Sequence, residues 1–103
     1  MAHAKGESIE QDFKEAVKWY RKAAEQRHVL AQESLGVMYY EGRGVAQDNQ
    51  TAYAWLNIAA TNGNQKVNKK GLSQLGKAMT PVQIVEAWEL VKEMVEMNPK
   101  LLK

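Results

Sequence analysis

Two stretches of this sequence, residues 6–24 (GESIEQDFKEAVKWYRKAA) and residues 42–60 (GRGVAQDNQTAYAWLNIAA), match each other at a fixed offset of 36 residues. The identical positions include Asp12 with Asp48 and Trp19 with Trp55. A repeat period of this length is typical of stacked helical hairpins, each of which buries its apolar face against its neighbour. The spacing therefore predicts two helical hairpins in tandem, with both tryptophans as buried anchors.

The first hairpin is predicted from capping and from helical periodicity. Asp12 and Glu15 have the spacing of a capping box, so we expect the first helix to begin at Asp12. A glycine inside a helix costs about 1 kcal/mol relative to alanine, so Gly36 in the second helix indicates that a neighbouring helix approaches closely there. The expected inward faces are Phe13, Ala16, Val17, Trp19, Tyr20, Ala23 and Ala24 in the first helix, and Ala31, Leu35, Met38 and Tyr39 in the second.

The second hairpin repeats this arrangement. Asp48 is the predicted N-cap of the third helix, and Asn62-Gly63 is its predicted end. In the first unit, Arg27 occupies the position that corresponds to Gly63 in the second. We therefore expect a strained turn there, because arginine lacks the conformational freedom of glycine. The predicted inward residues are Ala52, Trp55, Leu56, Ala59 and Ala60 in the third helix, and Val67, Gly71, Leu72, Leu75 and Met79 in the fourth.

A fifth helix is predicted after the second hairpin. Thr80-Pro81-Val82-Gln83 supplies an N-cap, a proline in the first turn and a capping-box glutamine, and Pro99 should stop the helix near Met97. Its apolar residues exceed what one buried face needs, so the remainder must contact the same array, another subunit or a partner. They form two stripes, Ile84, Trp88, Val91 and Val95 in one, and Ala87, Leu90, Met94 and Met97 in the other.

The composition is that of an ordinary globular domain and excludes several classes of function. The chain has 103 residues, a net charge of +2 and no cysteine, so we expect no disulfide, no thiolate chemistry and no cysteine-based zinc site. The small net charge argues against nucleic-acid binding. No apolar run is long enough to span a membrane, and the first residues have no apolar core of a signal peptide. We therefore expect a cytoplasmic location, or a periplasmic one if the sequence is a piece of a longer protein.

The combined motifs resemble the Sel-one-like repeat family, whose unit is related to the tetratricopeptide repeat. The residues that carry the resemblance are Ala16-x-x-Trp19-Tyr20-x-x-Ala23-Ala24, Ala31-x-x-x-Leu35-Gly36-x-x-Tyr39 and Gly42-x-Gly44-Val45-x-x-Asp48. The resemblance implies an all-α, right-handed α-α superhelix of five helices in a single domain, residues 1–103. We expect repeat one at about 12–47, repeat two at about 48–79 and a C-terminal capping helix at about 81–97.

Motifs that suggest chemistry are weak in this chain. Gly42 and Gly44 lie between two predicted helices, whereas a phosphate-binding loop follows a strand and precedes a Lys-Ser/Thr pair. We therefore expect these glycines to shape a turn and Asp48 to cap a helix. Glu25-x-x-His28 has the spacing of half a di-iron site, but no second such pair exists, so His28 is interpreted as a turn or surface residue. We predict no catalytic residue, no metal and no cofactor.

Two surfaces remain for partner binding. Lys14, Lys18, Arg21 and Glu25 align on one stripe of the first helix, with Lys22 beside them. This basic stripe is either a solvated face or an edge that meets an acidic partner. The second apolar stripe of the last helix has methionines, whose flexible thioethers suit an adaptable contact. The predicted partner-binding residues are Lys14, Lys18, Arg21, Lys22, Asn57, Leu90, Met94 and Met97.

The function that the resemblance implies is protein–protein interaction, as an adaptor or scaffold without catalysis. One alternative is an immunity-type protein that neutralises a bacterial toxin. A weaker alternative is a β-lactam-binding hydrolase, although Ser73 and Lys77 do not have the Ser-x-x-Lys spacing. Because helical arrays usually need three or more units, we also expect a homodimer through the exposed repeat ends or the C-terminal helix.

Overall fold

The computed structural model describes the backbone of residues 6–63 and 72–102, with side chains from Asp12 onward in those ranges. This part of the chain contains five helices and no strand, which confirms the all-α solenoid prediction. Val67 and Gly71 of the predicted fourth helix lie outside the described residues. The elements are α1 (Gly6–Glu25), α2 (Val29–Glu41), α3 (Asn49–Thr61), α4 (described at 72–77), α5 (Pro81–Met97) and a C-terminal 3-10 turn (Pro99–Leu101).

Helix α1 begins six residues earlier than predicted. It starts at Gly6, so Asp12 lies inside the helix and the predicted N-cap is wrong. The sequence between Gly6 and Asp12 contains no proline or further glycine that would break a helix. A residue that could serve as an N-cap therefore does not mark the start of a helix when the residues before it can also be helical.

The other predicted helix ends are confirmed. Asp48 caps α3, since its Oδ1 atom accepts from the backbone nitrogens of Gln50 at 3.1 Å and Thr51 at 3.3 Å. Thr80 and Gln83 form the reciprocal capping box of α5, which ends at Met97. These caps satisfy backbone groups that a helix cannot pair internally.

The turn between α1 and α2 has the predicted strain. Arg27 adopts a left-handed conformation with φ 67°, which a residue other than glycine rarely takes. His28 follows as the N-cap of α2, and its Nδ1 atom accepts from the backbone nitrogen of Ala31 at 3.2 Å. His28 is therefore a turn residue, as the sequence indicated.

Helices α2 and α3 pack closely where Gly36 lies. A Cβ atom on Gly36 would lie 2.9 Å from Cγ of Leu56 and 3.2 Å from the carbonyl oxygen of Ala52. The glycine thus lets α2 approach the backbone of α3, as predicted. This contact joins the two units of the array.

The glycine loop between α2 and α3 packs on the backbone of α1. Gly42 and Gly44 have positive φ values of 71° and 75°. A Cβ atom on Gly44 would lie 2.6 Å from the carbonyl oxygen of Phe13, so only glycine fits there. Both glycines therefore have the structural role that the sequence predicted for them.

The core consists of two clusters that share the half-buried Tyr39. Cluster 1 joins the first unit to α3 and the C-terminal turn, and cluster 2 joins α3 to α4 and α5. Cluster 1 contains Val17, Ala24, Ala31, Leu35, Met38, Trp55, Ile58 and Leu101, and cluster 2 contains Ala52, Leu56, Leu75, Met79 and Ala87.

The two repeat tryptophans have different environments. Trp55 is 7% exposed and belongs to cluster 1, which confirms its prediction as an anchor. Trp19, at the same register one repeat earlier, is 67% exposed, so its prediction as an anchor is wrong. Side chains of α1 and α2 enclose Trp55 in cluster 1. Among the described residues, no earlier hairpin encloses Trp19 in the same way. Tyr20, also predicted to face inward, is exposed as well.

Helix α5 buries a row of residues that runs between the two predicted stripes. Ala87 is fully buried, and Ile84, Val91 and Met94 pack against the two clusters. Each predicted stripe thus contributes two inward residues, because the actual row follows i, i+3, i+7 and i+10. Trp88 is exposed on the flank and meets the ring of Tyr53 edge to face at 6.3 Å.

Helices α3 and α5 run in the same direction. Nε2 of Gln50 donates to Oε1 of Glu86 at 2.8 Å near the beginning of both helices. At their ends, Nδ2 of Asn62 donates to the carbonyl oxygen of Leu101 at 2.6 Å. Gln50 and Glu86 are 36 residues apart, so α5 follows the same period as α1 and α3.

Candidate functional site

The predicted basic stripe lies on the surface of α1. Lys14, Lys18, Arg21 and Lys22 are all exposed. Arg21 donates from Nη2 to the hydroxyl oxygen of Tyr39 in α2. Lys22 places its Nζ atom 5.2 Å from the ring centre of Trp19, which is cation–π geometry. The structure therefore brings the four cations onto one helix and orders Arg21 and Lys22 by contacts within the chain.

Lys14 lies beside the glycine loop. A shallow depression of about 260 Å³ is lined by Lys14, Gly42, Gly44, Val45 and Ala46. The loop itself is held by packing, and backbone hydrogen bonds from Arg43 to Met38 and from Asp48 to Tyr39 close its two ends. Lys14 therefore extends the basic stripe to the junction between the two units.

The remaining predicted partner-binding residues lie on α3 and α5 and not on the helix of the stripe. Asn57 is half-buried in α3, and among the described residues its buried Nδ2 atom has no hydrogen-bond partner. On α5, Leu90 is half-buried and Met94 packs against cluster 1, so Met94 serves the chain's own core. Met97 is 87% exposed at the end of the helix.

The sequence did not predict a groove between α1 and α2. It has a volume of about 330 Å³ and a mainly apolar lining. Phe13 and Ala16 contribute from α1, and Val37 and Met38 from α2, while the exposed Tyr20 stands at its edge. Charged side chains also line it, namely Glu33, Glu41 and Arg43.

Arg43, which lines this groove, contacts two of the other lining residues. Its Nε atom pairs with Oε1 of Glu41 at 3.0 Å, and its guanidinium carbon lies 5.2 Å from the ring centre of Phe13. These contacts position a charged group against an aromatic wall. A signal for the groove exists in the sequence, since Leu30 and Val37 are seven residues apart on one face of α2, and both are exposed.

Metal-binding and membrane-spanning features are absent from the part of the chain that the structure describes. No cluster of histidine and carboxylate side chains suited to a metal ion occurs among these residues. Within the same ranges, none of the helices has the length and apolarity needed to cross a bilayer.

Tandem helical hairpins with a 36-residue period, a buried repeat tryptophan and a glycine-mediated contact between units define a helical-repeat solenoid. The family model of the Sel1 repeat matches residues 1–28 and 29–64, and the chain belongs to the Sel1 repeat family. The second match has the length of the predicted period but begins at α2, so it groups α2 with α3.

A solved structure supports the same family. The crystal structure of a protective antigen present in uropathogenic Escherichia coli strains, which displays an SLR fold, is 34% identical to the chain with a TM-score of 0.78. The match covers 87% of this chain and 20% of that protein, so the chain spans about one fifth of its length. A search of curated proteins finds no match. Sel1 repeats generally serve as non-catalytic scaffolds for protein–protein interaction.

Proposed function

We propose that this chain is a protein-binding adaptor without catalytic activity, and that its partner inserts an apolar helix or segment into the groove between α1 and α2. The observation that carries the proposal is the groove itself, an opening of about 330 Å³ whose walls are mainly apolar. An exposed apolar surface bounded by polar groups is typical of an interaction site.

The groove has the anatomy of a helix-binding site. Its floor is formed by Ala16 and the buried Met38, and the exposed Tyr20 and Val37 stand at its edges. The exposed Leu30, two helical turns before Val37, extends the apolar surface along α2. Apolar anchors at i, i+3, i+4 and i+7 of a partner helix fit such a surface, and the charged rim fixes the orientation.

The basic stripe has a supporting role in this proposal. Lys14, Lys18 and Arg21 are exposed on α1, the helix that forms one wall of the groove. Surface charge of one sign speeds the encounter with an oppositely charged partner more than it strengthens the final complex. An acidic partner would therefore associate faster with the stripe intact, and its association rate would fall as salt is added.

The test compares two valine-to-glutamate variants. Val37→Glu places a carboxylate at the groove, whereas Val82→Glu places one on the exposed side of α5. Proteins that the wild-type chain captures are purified and titrated by calorimetry against the wild-type, Val82→Glu and Val37→Glu chains. We expect the Val37→Glu variant to bind such a partner at least about 10-fold more weakly, since a buried unpaired carboxylate costs several kcal/mol. A purified partner that binds Val37→Glu and wild type equally excludes the groove.

The stripe is tested on the same purified partner. Reversal of Lys14, Lys18 and Arg21 to glutamate should lower the association rate and leave helical content unchanged, because all three side chains are exposed. Equal association rates for the two proteins at low salt would exclude a steering role.

A further inference from the structure

One face of α1 is open although the same face of α3 is buried. Trp19 is exposed, whereas Trp55, 36 residues later, is buried. The neighbours on this face differ in chemistry as well as exposure. Lys18 and Lys22 are exposed where α3 has Ala54 and Ile58, both fully buried. We refer to Lys18, Trp19 and Lys22 as the Trp19 face.

The two lysines restrict what can cover the Trp19 face. A helix like those inside the array would bury two ammonium groups without counter-charges, which is strongly unfavourable. The occupant must therefore bring carboxylates together with an apolar surface. Asp12 and Glu15 precede Trp19 on α1, so the positive part of the face lies toward the end of the helix.

The outer face of α5 has this chemistry. Val85 is exposed in its first half, and Glu89, Glu93 and Glu96 are exposed in its second half. Lys92 is the exposed cation between them. We refer to Val85, Glu89, Glu93 and Glu96 as the α5 outer face. It is acidic toward the end of the helix, where the Trp19 face is basic.

We propose that the α5 outer face of one copy of this chain docks on the Trp19 face of the next copy, head to tail. The contact continues the stacking inside the chain, in which α3 and α5 run in the same direction with a 36-residue offset between Gln50 and Glu86. In that orientation Glu89, Glu93 and Glu96 lie level with Lys18 and Lys22. Val85 then lies beside the part of α1 that contains Asp12 and Glu15, so Glu89, Glu93 and Glu96 are kept away from these two carboxylates.

This arrangement differs from a two-fold dimer. The two faces are different surfaces, so the contact is heterologous and each chain keeps one free face after pairing. Association then extends past the dimer as concentration rises. Its exposed charge pairs are screened by salt, so the assembly weakens at high ionic strength. The contact is independent of the groove between α1 and α2.

The first test is sedimentation velocity of the full chain over a range of concentrations at low salt. We expect wild type and Val37→Glu to exceed the mass of a dimer at high concentration, and Trp19→Glu to lose this association. Circular dichroism checks that Trp19→Glu is folded, as the exposure of Trp19 indicates. A wild-type chain that stays monomeric at every concentration overturns the proposal and leaves the face to an acidic segment of another protein. Loss of association in Val37→Glu would place the contact at the groove and also overturn it.

The second test identifies the two faces by cross-linking. The chain has no cysteine, so single substitutions Lys22→Cys and Glu93→Cys give unique positions for a short bismaleimide linker. We expect a cross-linked dimer when the two variants are mixed and none from either variant alone. Cross-linking of Lys22→Cys with itself, or of Glu93→Cys with itself, would show a two-fold contact and contradict the head-to-tail arrangement.

Discussion

The side-chain amide of Asn62, at the end of α3, donates to the Oε1 atom of Gln32 in α2 at 2.9 Å. Gln32 is fully buried, and its Nε2 atom donates to the carbonyl oxygens of Ala24 at 3.0 Å and Leu101 at 3.2 Å. Asn98 adds a hydrogen bond to the carbonyl oxygen of Glu25 at 3.1 Å. Three side-chain amides thus join α2 and the ends of α1 and α3 to the C-terminal turn.

Replacement of Gln32 by leucine tests how much this hydrogen-bond network contributes to the stability of the fold. The apolar side chain keeps the volume but removes the acceptor of Asn62 and a donor to two carbonyl groups. We expect the free energy of unfolding, measured by urea titration, to fall by roughly 1–3 kcal/mol, since buried polar groups lose a partner. Gln74→Leu on the exposed surface of α4 is the matched control and should stay within about 0.5 kcal/mol of wild type. Equal stabilities of the two variants would show that the network contributes nothing.

The two repeat tryptophans should respond differently to truncation. Trp55→Ala removes a side chain that is buried in cluster 1, and we expect a loss of roughly 3–5 kcal/mol in the free energy of unfolding. Trp19→Ala removes an exposed ring and its contact with Lys22, so the loss should be about 1 kcal/mol or less. Thermal melts of both variants with circular dichroism measure the difference. Similar melting temperatures for both variants would contradict the asymmetry of the two units.

The prediction for Trp19 was wrong because identical residues in two repeats need not have the same helices packed around them. Trp19 and Trp55 occupy the same register, but the side chains of α1 and α2 enclose only Trp55. Periodicity and capping are local, which explains why the caps at Asp48 and Thr80 and the close approach at Gly36 were predictable. Exposure at the first unit depends on which hairpin lies before it, and a repeat pattern does not contain that information.

The candidate site was predictable only in part. The basic stripe of Lys14, Lys18 and Arg21 followed from helical spacing, because the charged side chains of an amphipathic helix face solvent. The groove did not follow, since it depends on how α1 and α2 are set apart and on the size of Ala16 between larger side chains. The role of Leu101 was also missed, because a three-residue turn has no periodicity, although an apolar pair after Pro99 was a signal.

The same substitution at two glycines should have opposite effects. Gly36→Ala would force a Cβ atom against Leu56 and the carbonyl oxygen of Ala52, and overpacking of this kind costs roughly 1–3 kcal/mol. A Cβ atom on Gly76 in α4 would meet only the ring of Tyr53, at 3.9 Å. Gly76→Ala should therefore gain up to about 1 kcal/mol from the better helix propensity of alanine. Urea titrations of both variants decide this, and a stabilised Gly36→Ala would contradict the close contact of α2 with α3.

At position 27, the glycine variant should be more stable than the alanine variant, which is the reverse of the usual order within a helix. Its φ of 67° is left-handed, a conformation that costs a residue with a Cβ atom roughly 1–2 kcal/mol and glycine almost nothing. Both Arg27→Gly and Arg27→Ala lose the hydrogen bond from Nε to Oδ1 of Asn62, so that contact cancels in the comparison. We expect the glycine variant to be more stable than the alanine variant by about 1 kcal/mol. Lys92, exposed within α5, provides the control pair, where alanine should be more stable than glycine by about 1 kcal/mol. The same order at both positions, by urea titration, would show that the α1–α2 turn is relaxed in solution.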